Sequence, residues 1–224
     1  RSRNELILWA LSRFSPHAKN FMEIGCGTGF VLKAIEERMP RLALTGAELF
    51  PEGLKWAKTR LTERVRLVQM DARHISFENE FDALGAFDVL EHIPEDEEVL
   101  AQMFQAARSG GILVVTVPQH RWLWSSLDSI AKHARRYTKR EMIGKMKRAG
   151  FEVLRATSFV SALTPVLFLS RLRKMDVEKA CGELALPKWM DFLLERIMAV
   201  ELKLIRWGVN MPVGGSLLVV GMRP

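Results

Sequence analysis

Residues Glu23 to Phe30 read EIGCGTGF, and what stands on either side of them decides the fold. Phe21, Met22 and Ile24 make a short apolar run suited to a buried strand. Three glycines follow at once, before the helix-like stretch LKAIEERM. Glycine suits such a turn because a tight reversal uses backbone angles that a Cβ disfavours, and because a ligand can then approach the main chain. Glycine-rich turns are common, so the spacing has to discriminate. A dinucleotide-binding fingerprint would put its third glycine at position 30, where Phe30 stands. Here Gly25, Gly27 and Gly29 alternate, with Glu23 before them on the strand.

The flanking chain extends this unit. Asn4 to Phe14 carries Leu6, Ile7, Ala10, Leu11 and Phe14 at helical spacing and is stopped by Ser15-Pro16. Phe30 to Met39 reads as a helix ended before Pro40, and Leu42 to Thr45 as a strand running into Gly46-Ala47-Glu48. An acidic residue about 20 positions beyond a glycine turn, at the end of the second strand, is placed to accept hydrogen bonds from two ribose hydroxyls. Glu48 fills that position, and a carboxylate, with two acceptor oxygens, matches adjacent hydroxyls. Glu52 to Leu61 reads as a helix started by Pro51, and Val65, Leu67 and Val68 as a third strand leading to Asp71-Ala72.

Ala83 to Leu90 is apolar enough for a central parallel strand and ends in Glu91-His92-Ile93-Pro94, after which EDEEVLAQMFQAAR reads as a helix. Ser109-Gly110-Gly111 reads as a turn, Ile112 to Val117 as a fifth strand, Lys139 to Ala149 as a helix, Phe151 to Phe159 as a sixth strand and Ser216 to Met222 as the last. The alternation predicts an α/β fold, a doubly wound, mostly parallel sheet with ligands at the carboxyl ends of its strands.

The glycine turn, with Glu48, Asp71-Ala72 and the string FDVLEHIPED, resembles the class I S-adenosylmethionine-dependent methyltransferases, in their small-molecule branch. The resemblance covers about Asn4 to Phe159 and the final strand. It implies the Rossmann-like fold of seven strands, the last antiparallel and paired with the sixth, and S-adenosylmethionine as cofactor, with S-adenosylhomocysteine as product. Its motifs assign cofactor contacts to Glu23, Gly25, Cys26, Gly27, Thr28 and Gly29, then to Glu48 and Leu49, to Asp71 and Ala72, and to Asp88 and Leu90. In that scheme Glu23 sits near the cofactor ammonium, Asp71 takes the adenine amino group, and the Ala72 amide meets a ring nitrogen. The chain lacks the Asn/Asp-Pro-Pro-aromatic loop typical of enzymes of this fold that methylate exocyclic amino groups of bases.

Val117 to Thr138, polar and aromatic in alternation, lies over the cofactor by topology and is read as the acceptor side. His120 and His133 compete as general base, since histidine titrates closest to neutral pH. Tyr137, four residues after His133, would share its face on one helical turn. No Cys/His cluster has metal-ligand spacing, and Glu91-His92 lacks the second histidine of a zinc helix, so no metal is implied.

Residues 160–215 depart from the family pattern and read as a helical insertion or lid between a domain of residues 1–159 and its last strand, residues 216–224. The insertion holds the apolar run ALTPVLFLS, the cations Arg171, Arg173 and Lys174, and a helix with Met190, Leu193, Ile197, Val200, Leu204 and Trp207 in one stripe. That stripe fits a cap packed on the domain, a homodimer contact or a membrane-surface segment.

The 224 residues, nearly half of them hydrophobic, can bury a substantial core. With Cys26 and Cys181 alone there is no disulfide framework, which implies a cytoplasmic setting. No leader with a cleavage site and no uninterrupted bilayer-length apolar run is read. Lys132 to Arg148 sets eight basic residues against Glu141 and so carries the whole net charge of +7. It reads either as a solvated helix face or as a patch for phosphate, anionic lipid or nucleic acid.

The expectation is methyl transfer to a small or lipid-like acceptor, at oxygen in preference to nitrogen. A nucleic-acid partner is disfavoured. The alternatives are an RNA or protein methyltransferase using the basic stretch, and a non-catalytic cofactor-binding scaffold. A nicotinamide-dependent oxidoreductase is disfavoured by Phe30.

Overall fold

The computed structural model describes residues 2–165, 168 and 188–224. In chain order its elements are α1 (Ser2–Phe14), β1 (Asn20–Ile24), α2 (Phe30–Arg38), β2 (Ala43–Glu48), α3 (Pro51–Arg60), β3 (Val65–Gln69) and β4 (Phe81–Phe87). They continue with α4 (Asp96–Ala106), β5 (Ala107–Pro118), α5 (Ser126–Ile130), α6 (Lys139–Arg148), β6 (Glu152–Phe159), α7 (Lys188–Arg206) and β7 (Ser216–Met222). The strands form one seven-stranded sheet in the order β3-β2-β1-β4-β5-β7-β6. β1 to β5 run parallel, whereas β7 lies between β5 and β6 and is antiparallel to both. The order reverses beside β1, where β1 pairs with β2 on one side and β4 on the other, and such a switch point opens a crevice at the carboxyl ends of the strands.

Strand periodicity divides the core. Ala83 and Phe87 of β4, Ile112 and Val114 of β5, and Leu218 and Val220 of β7 face one layer, built on Leu6, Ile7 and Leu11 of α1 and Leu32 and Ile35 of α2. The intervening Leu84, Ala86, Leu113, Val115, Leu217 and Val219 face the other, against Val99, Leu100 and Met103 of α4 and Met142 and Met146 of α6. Burial on both faces is why these strands read as near-continuous apolar runs. Glu23 is the exception inside β1. Its in-register neighbours are Gly46 and Gly85, where a Cβ would run into Leu32 at the first and the Phe87 ring at the second.

Three expectations need correction. β4 ends at Phe87, because Asp88 takes a left-handed φ of 57° and Leu90–His92 winds into a short 3-10 turn. The Ser109-Gly110-Gly111 segment belongs to β5 and is not a turn ahead of it: the β4–β5 register slips between Phe81 and Ala83, and Gly110 absorbs the irregularity at φ 75°.

The third concerns α7, whose packed face is rotated from the expected stripe. Glu201 and Ile205 are buried, and Leu202 packs on the core, whereas Val200 and Trp207 are 58% and 80% exposed. The Glu201 carboxylate accepts from the amides of Ser161 and Ala162 at 2.9 and 3.0 Å, and Arg155 donates to the carbonyls of Gly208 and Val209 at 3.0 and 2.8 Å. These polar ties after and within β6 set the rotation, which an apolar count could not register. The side chain of Met190, Val166, Leu167, Leu169 and Ser170 of ALTPVLFLS, and Arg171, Arg173 and Lys174 lie outside the described residues. Among the described residues no helix is long and apolar enough to cross a membrane.

Truncating the buried Ile205 to alanine should cost about 2–5 kcal/mol, whereas Val200→Ala should stay within about 0.5 kcal/mol. Equilibrium denaturation of both variants checks this; equal losses would mean that the other face of α7 is the packed one.

Candidate active site

The glycine turn closes the carboxyl end of β1. Gly25, Gly27 and Gly29 all have positive φ, at 67°, 53° and 78°, a region L side chains adopt only under strain. Gly25 is doubly constrained, since a Cβ there would lie 2.5 Å from Cγ2 of Val89. From the next strand Glu48 reaches across. One carboxylate oxygen accepts from the Gly27 amide at 2.9 Å and the other from the Phe50 amide at 2.9 Å. The Cys26 amide donates to the Ala47 carbonyl at 2.9 Å, and the Thr28 carbonyl accepts from Arg60. Burial pushes the Cys26 thiol up to about 12, so this cysteine is an inert packing group.

A cleft of about 620 Å³ opens above this turn. Of the residues expected at the cofactor, Gly25, Glu48, Leu49, Asp71, Ala72 and Asp88 line it. Glu23, Cys26, Gly27, Thr28, Gly29 and Leu90 are not among its lining residues. Asp71 is held in a fork by Arg73, with contacts of 2.6 and 3.1 Å, and hydrogen bonds from the Arg73 side chain and then its amide draw the carboxyl down to about 2. Phe50, Met70, Arg73, His92 and Lys132 also line the cleft and were not singled out for the cofactor from sequence. Position next to a strand end could have marked the first four, whereas Lys132 follows α5 and carried no such signal.

Three carboxyl groups gather at the inner end. Asp88 is paired with Arg3 of α1 and accepts from Thr116 Oγ1 at 3.2 Å. Glu23 is buried, and desolvation raises its pKa well above the usual carboxylate range against the opposing pull of Arg3. Glu91 is 1% exposed; burial first, and the Asp88 charge second, raise it to about 8. Among the described residues its Oε2 has no hydrogen-bond partner.

Residues 125–137 form the outer wall around a buried hub, Asp128. Burial works against the Asp128 charge, but Arg136, at 2.7 and 3.1 Å, His133 and the Ser125 amide hold its pKa lowered. The same carboxylate meets His133 Nδ1 at 2.9 Å and so fixes that ring. His133 stands edge-on to His92, with ring centroids 4.8 Å apart. Burial and then the neighbouring His133 lower the His92 pKa.

The other two expected catalytic groups are placed elsewhere. His120 stacks on Trp122, with centroids 5.0 Å apart, and is not among the residues lining the cleft. Tyr137 is fully buried, its one hydroxyl proton shared between the Leu90 carbonyl at 3.0 Å and Asp96 Oδ2 at 2.6 Å, and desolvation raises its pKa. His133 and Tyr137 do not share a helical turn either, since α6 begins only at Lys139 and Tyr137 forms an isolated bridge with Gln119. Tyr137 is therefore a structural anchor for the turn that carries Glu91 and His92.

The basic stretch is largely consumed inside the molecule. Lys145 and Arg135 pair with Asp96, Arg136 with Asp128 and Arg148 with Glu97, and Lys139 donates to the Met211 carbonyl at 3.0 Å. Such cations are not free to track a phosphate backbone.

The order of the strands, the turn at β1 and the acidic residue ending β2 define a Rossmann-like methyltransferase fold. A family model described as a methyltransferase domain matches residues 1–156, and the chain belongs to that family. Among curated relatives, a phosphatidylethanolamine N-methyltransferase of Cereibacter sphaeroides is 34% identical over 100 residues, 42% of this chain and 48% of that protein. A trans-aconitate 2-methyltransferase of Deinococcus radiodurans is 30% identical over 111 residues, 50% of this chain and 42% of that one. The chain thus spans less than half the length of these relatives. Among solved structures, phosphoethanolamine N-methyltransferase 2 of Haemonchus contortus in complex with S-adenosyl-L-methionine superposes with a TM-score of 0.67 at 21% identity, over 99% of this chain and 52% of that one.

If Tyr137 is an anchor, Tyr137→Phe should lower stability by about 1–3 kcal/mol by leaving buried acceptors unsatisfied, and should leave cofactor affinity unchanged. Thermal unfolding and ligand titration check both. Full stability with lost turnover would return Tyr137 to the chemistry.

Proposed function

We propose that this chain carries an S-adenosylmethionine-dependent methyltransferase activity toward a small or lipid-like acceptor, at oxygen. The observation that carries the reading is Glu48, a carboxylate locked by two backbone amides at the wall of a cleft whose floor is a glycine turn. Bound there, the cofactor would supply an already activated methyl group, so the work left to the chain is to bind it, to orient the acceptor oxygen and to keep water out.

The chain's own residues would divide the work as follows. Gly25 and Asp88 border the amino-acid end, Glu48 faces the ribose, and Asp71 with Ala72 borders the adenine. The fit is physical. Both Glu48 oxygens retain acceptor capacity beyond one amide each, and the absence of a Cβ at Gly25 keeps the turn close to the ligand. Holding the acceptor and the methyl carbon at reacting distance can contribute about 7–11 kcal/mol. Leu49 and Phe50, both exposed at the cleft beside Glu48, offer an apolar surface to the adenosine end. The relatives named for phosphatidylethanolamine and trans-aconitate support a small or lipid-like class, and the first of them supports an amine acceptor as the second reading. The internal pairing of the basic stretch speaks against an RNA acceptor.

Calorimetric titration with S-adenosylmethionine, S-adenosylhomocysteine and NADH tests the reading. The first two should bind and NADH should not. Glu48→Ala should weaken S-adenosylmethionine by about 1.5–3 kcal/mol, the size of a hydrogen bond to a charged group. Binding of NADH alone, or an affinity untouched by the substitution, would overturn it.

A further inference from the structure

We propose that Glu91, His92 and His133 form a two-histidine, one-carboxylate site for a divalent transition-metal ion, open toward the acceptor side of the cleft. One donor atom of each residue lies within 4.8 Å of the others. Zinc bonds of about 2.0–2.1 Å set tetrahedral donors roughly 3.4 Å apart, so side-chain rotations of about an ångström close the site.

Three independent features point to a cation here. Glu91 is buried, yet its Oε2 has no hydrogen-bond partner among the described residues, an arrangement that costs free energy unless a cation or a donor is supplied. His133 is already oriented as metal-bound histidines are, with Nδ1 committed to the Asp128 carboxylate, which leaves Nε2 as the outward donor. Two histidines and a carboxylate also form the donor set of open zinc and non-haem iron sites, where a position remains for water or substrate.

The location gives the site a use. His92 lines the cofactor cleft and is exposed, Glu91 lies buried behind it, and His133 comes from the outer wall. A hydroxyl acceptor occupying the open position would release its proton to water near neutral pH, so its oxygen would arrive as the better nucleophile. The acceptor class that follows is an oxygen compound able to enter a metal's coordination sphere, such as an enol, a phenol or a hydroxyl beside a second donor. This use rests on the methyltransferase reading; the metal site itself does not.

The test is titration of the chelator-stripped, tag-free chain with Zn²⁺ alone and with Co²⁺ alone, by calorimetry and by visible absorption of the Co²⁺ complex. One equivalent should bind, and Co²⁺ should give the intense spectrum of a low-coordinate site. Glu91→Gln, His92→Ala and His133→Ala should each weaken binding by more than the about 10–100-fold that outer-shell partners cost, and substitution of His17, exposed between α1 and β1, to alanine should not. Should Glu91→Gln fail to fold, His92→Ala decides, since its ring is exposed. Absence of binding to the parent, or variants that bind as tightly as the parent, would overturn the site. S-adenosylhomocysteine titrated into the same sample separates the two claims. Its binding without metal binding sinks the metal site alone, and metal binding without it sinks the methyltransferase reading alone.

Discussion

The carboxylate of Glu48 is the interaction on which the site depends. It joins two strand–helix units by accepting from the Gly27 amide in the first and from the Phe50 amide just ahead of α3 in the second. The anion thus sits beside the starts of two helices, where free amides and helix dipoles favour negative charge. Neither unit alone would define the cleft. The glycines of the turn let the main chain come close enough for this bridge, and the parallel register of β1 and β2 brings the two ends level.

The opposite wall follows a different logic. Asp128 and Asp96 are buried anions, each surrounded by cations and hydroxyl or amide donors from the segment that sequence analysis marked as strongly basic. Burying such charges is costly, so well-paired ones act as locks: removing one partner strands the other. The excess charge in residues 132–148 therefore has an internal use. It clamps an otherwise irregular stretch against α4 and against the turn carrying Glu91 and His92.

The sheet was legible because parallel strands buried on both faces read as apolar runs, and α2, α3 and α6 fell close to their expected limits. That Glu48, Gly25 and Asp71 come together at one cleft was readable too, since consecutive βα units fix them at the strand ends. What the sequence hid was long-range. His92 and His133 stand far apart in the chain and meet only because Asp128 folds the outer wall back, and no local spacing encodes that encounter. The role of Tyr137 was misread because its partners, Leu90 and Asp96, are equally distant in sequence. The rotation of α7 depends on Glu201 capping the amides of Ser161 and Ala162, a polar demand that outweighs the apolar stripe.

The placement of β7 bears on how the molecule is assembled. This strand is made last of the seven, yet it belongs between β5 and β6, which do not pair with each other. On a chain emerging from the ribosome, β5 and β6 wait with unpaired main-chain edges until residues 216–222 arrive. Both hydrophobic layers stay incomplete for as long, since β7 supplies Leu218 and Val220 to one and Leu217 and Val219 to the other. Closure is therefore a late, long-range step, slow by its loop entropy and exposed to edge-to-edge association while it is pending. A cell making this protein would have most to gain from a chaperone at that moment.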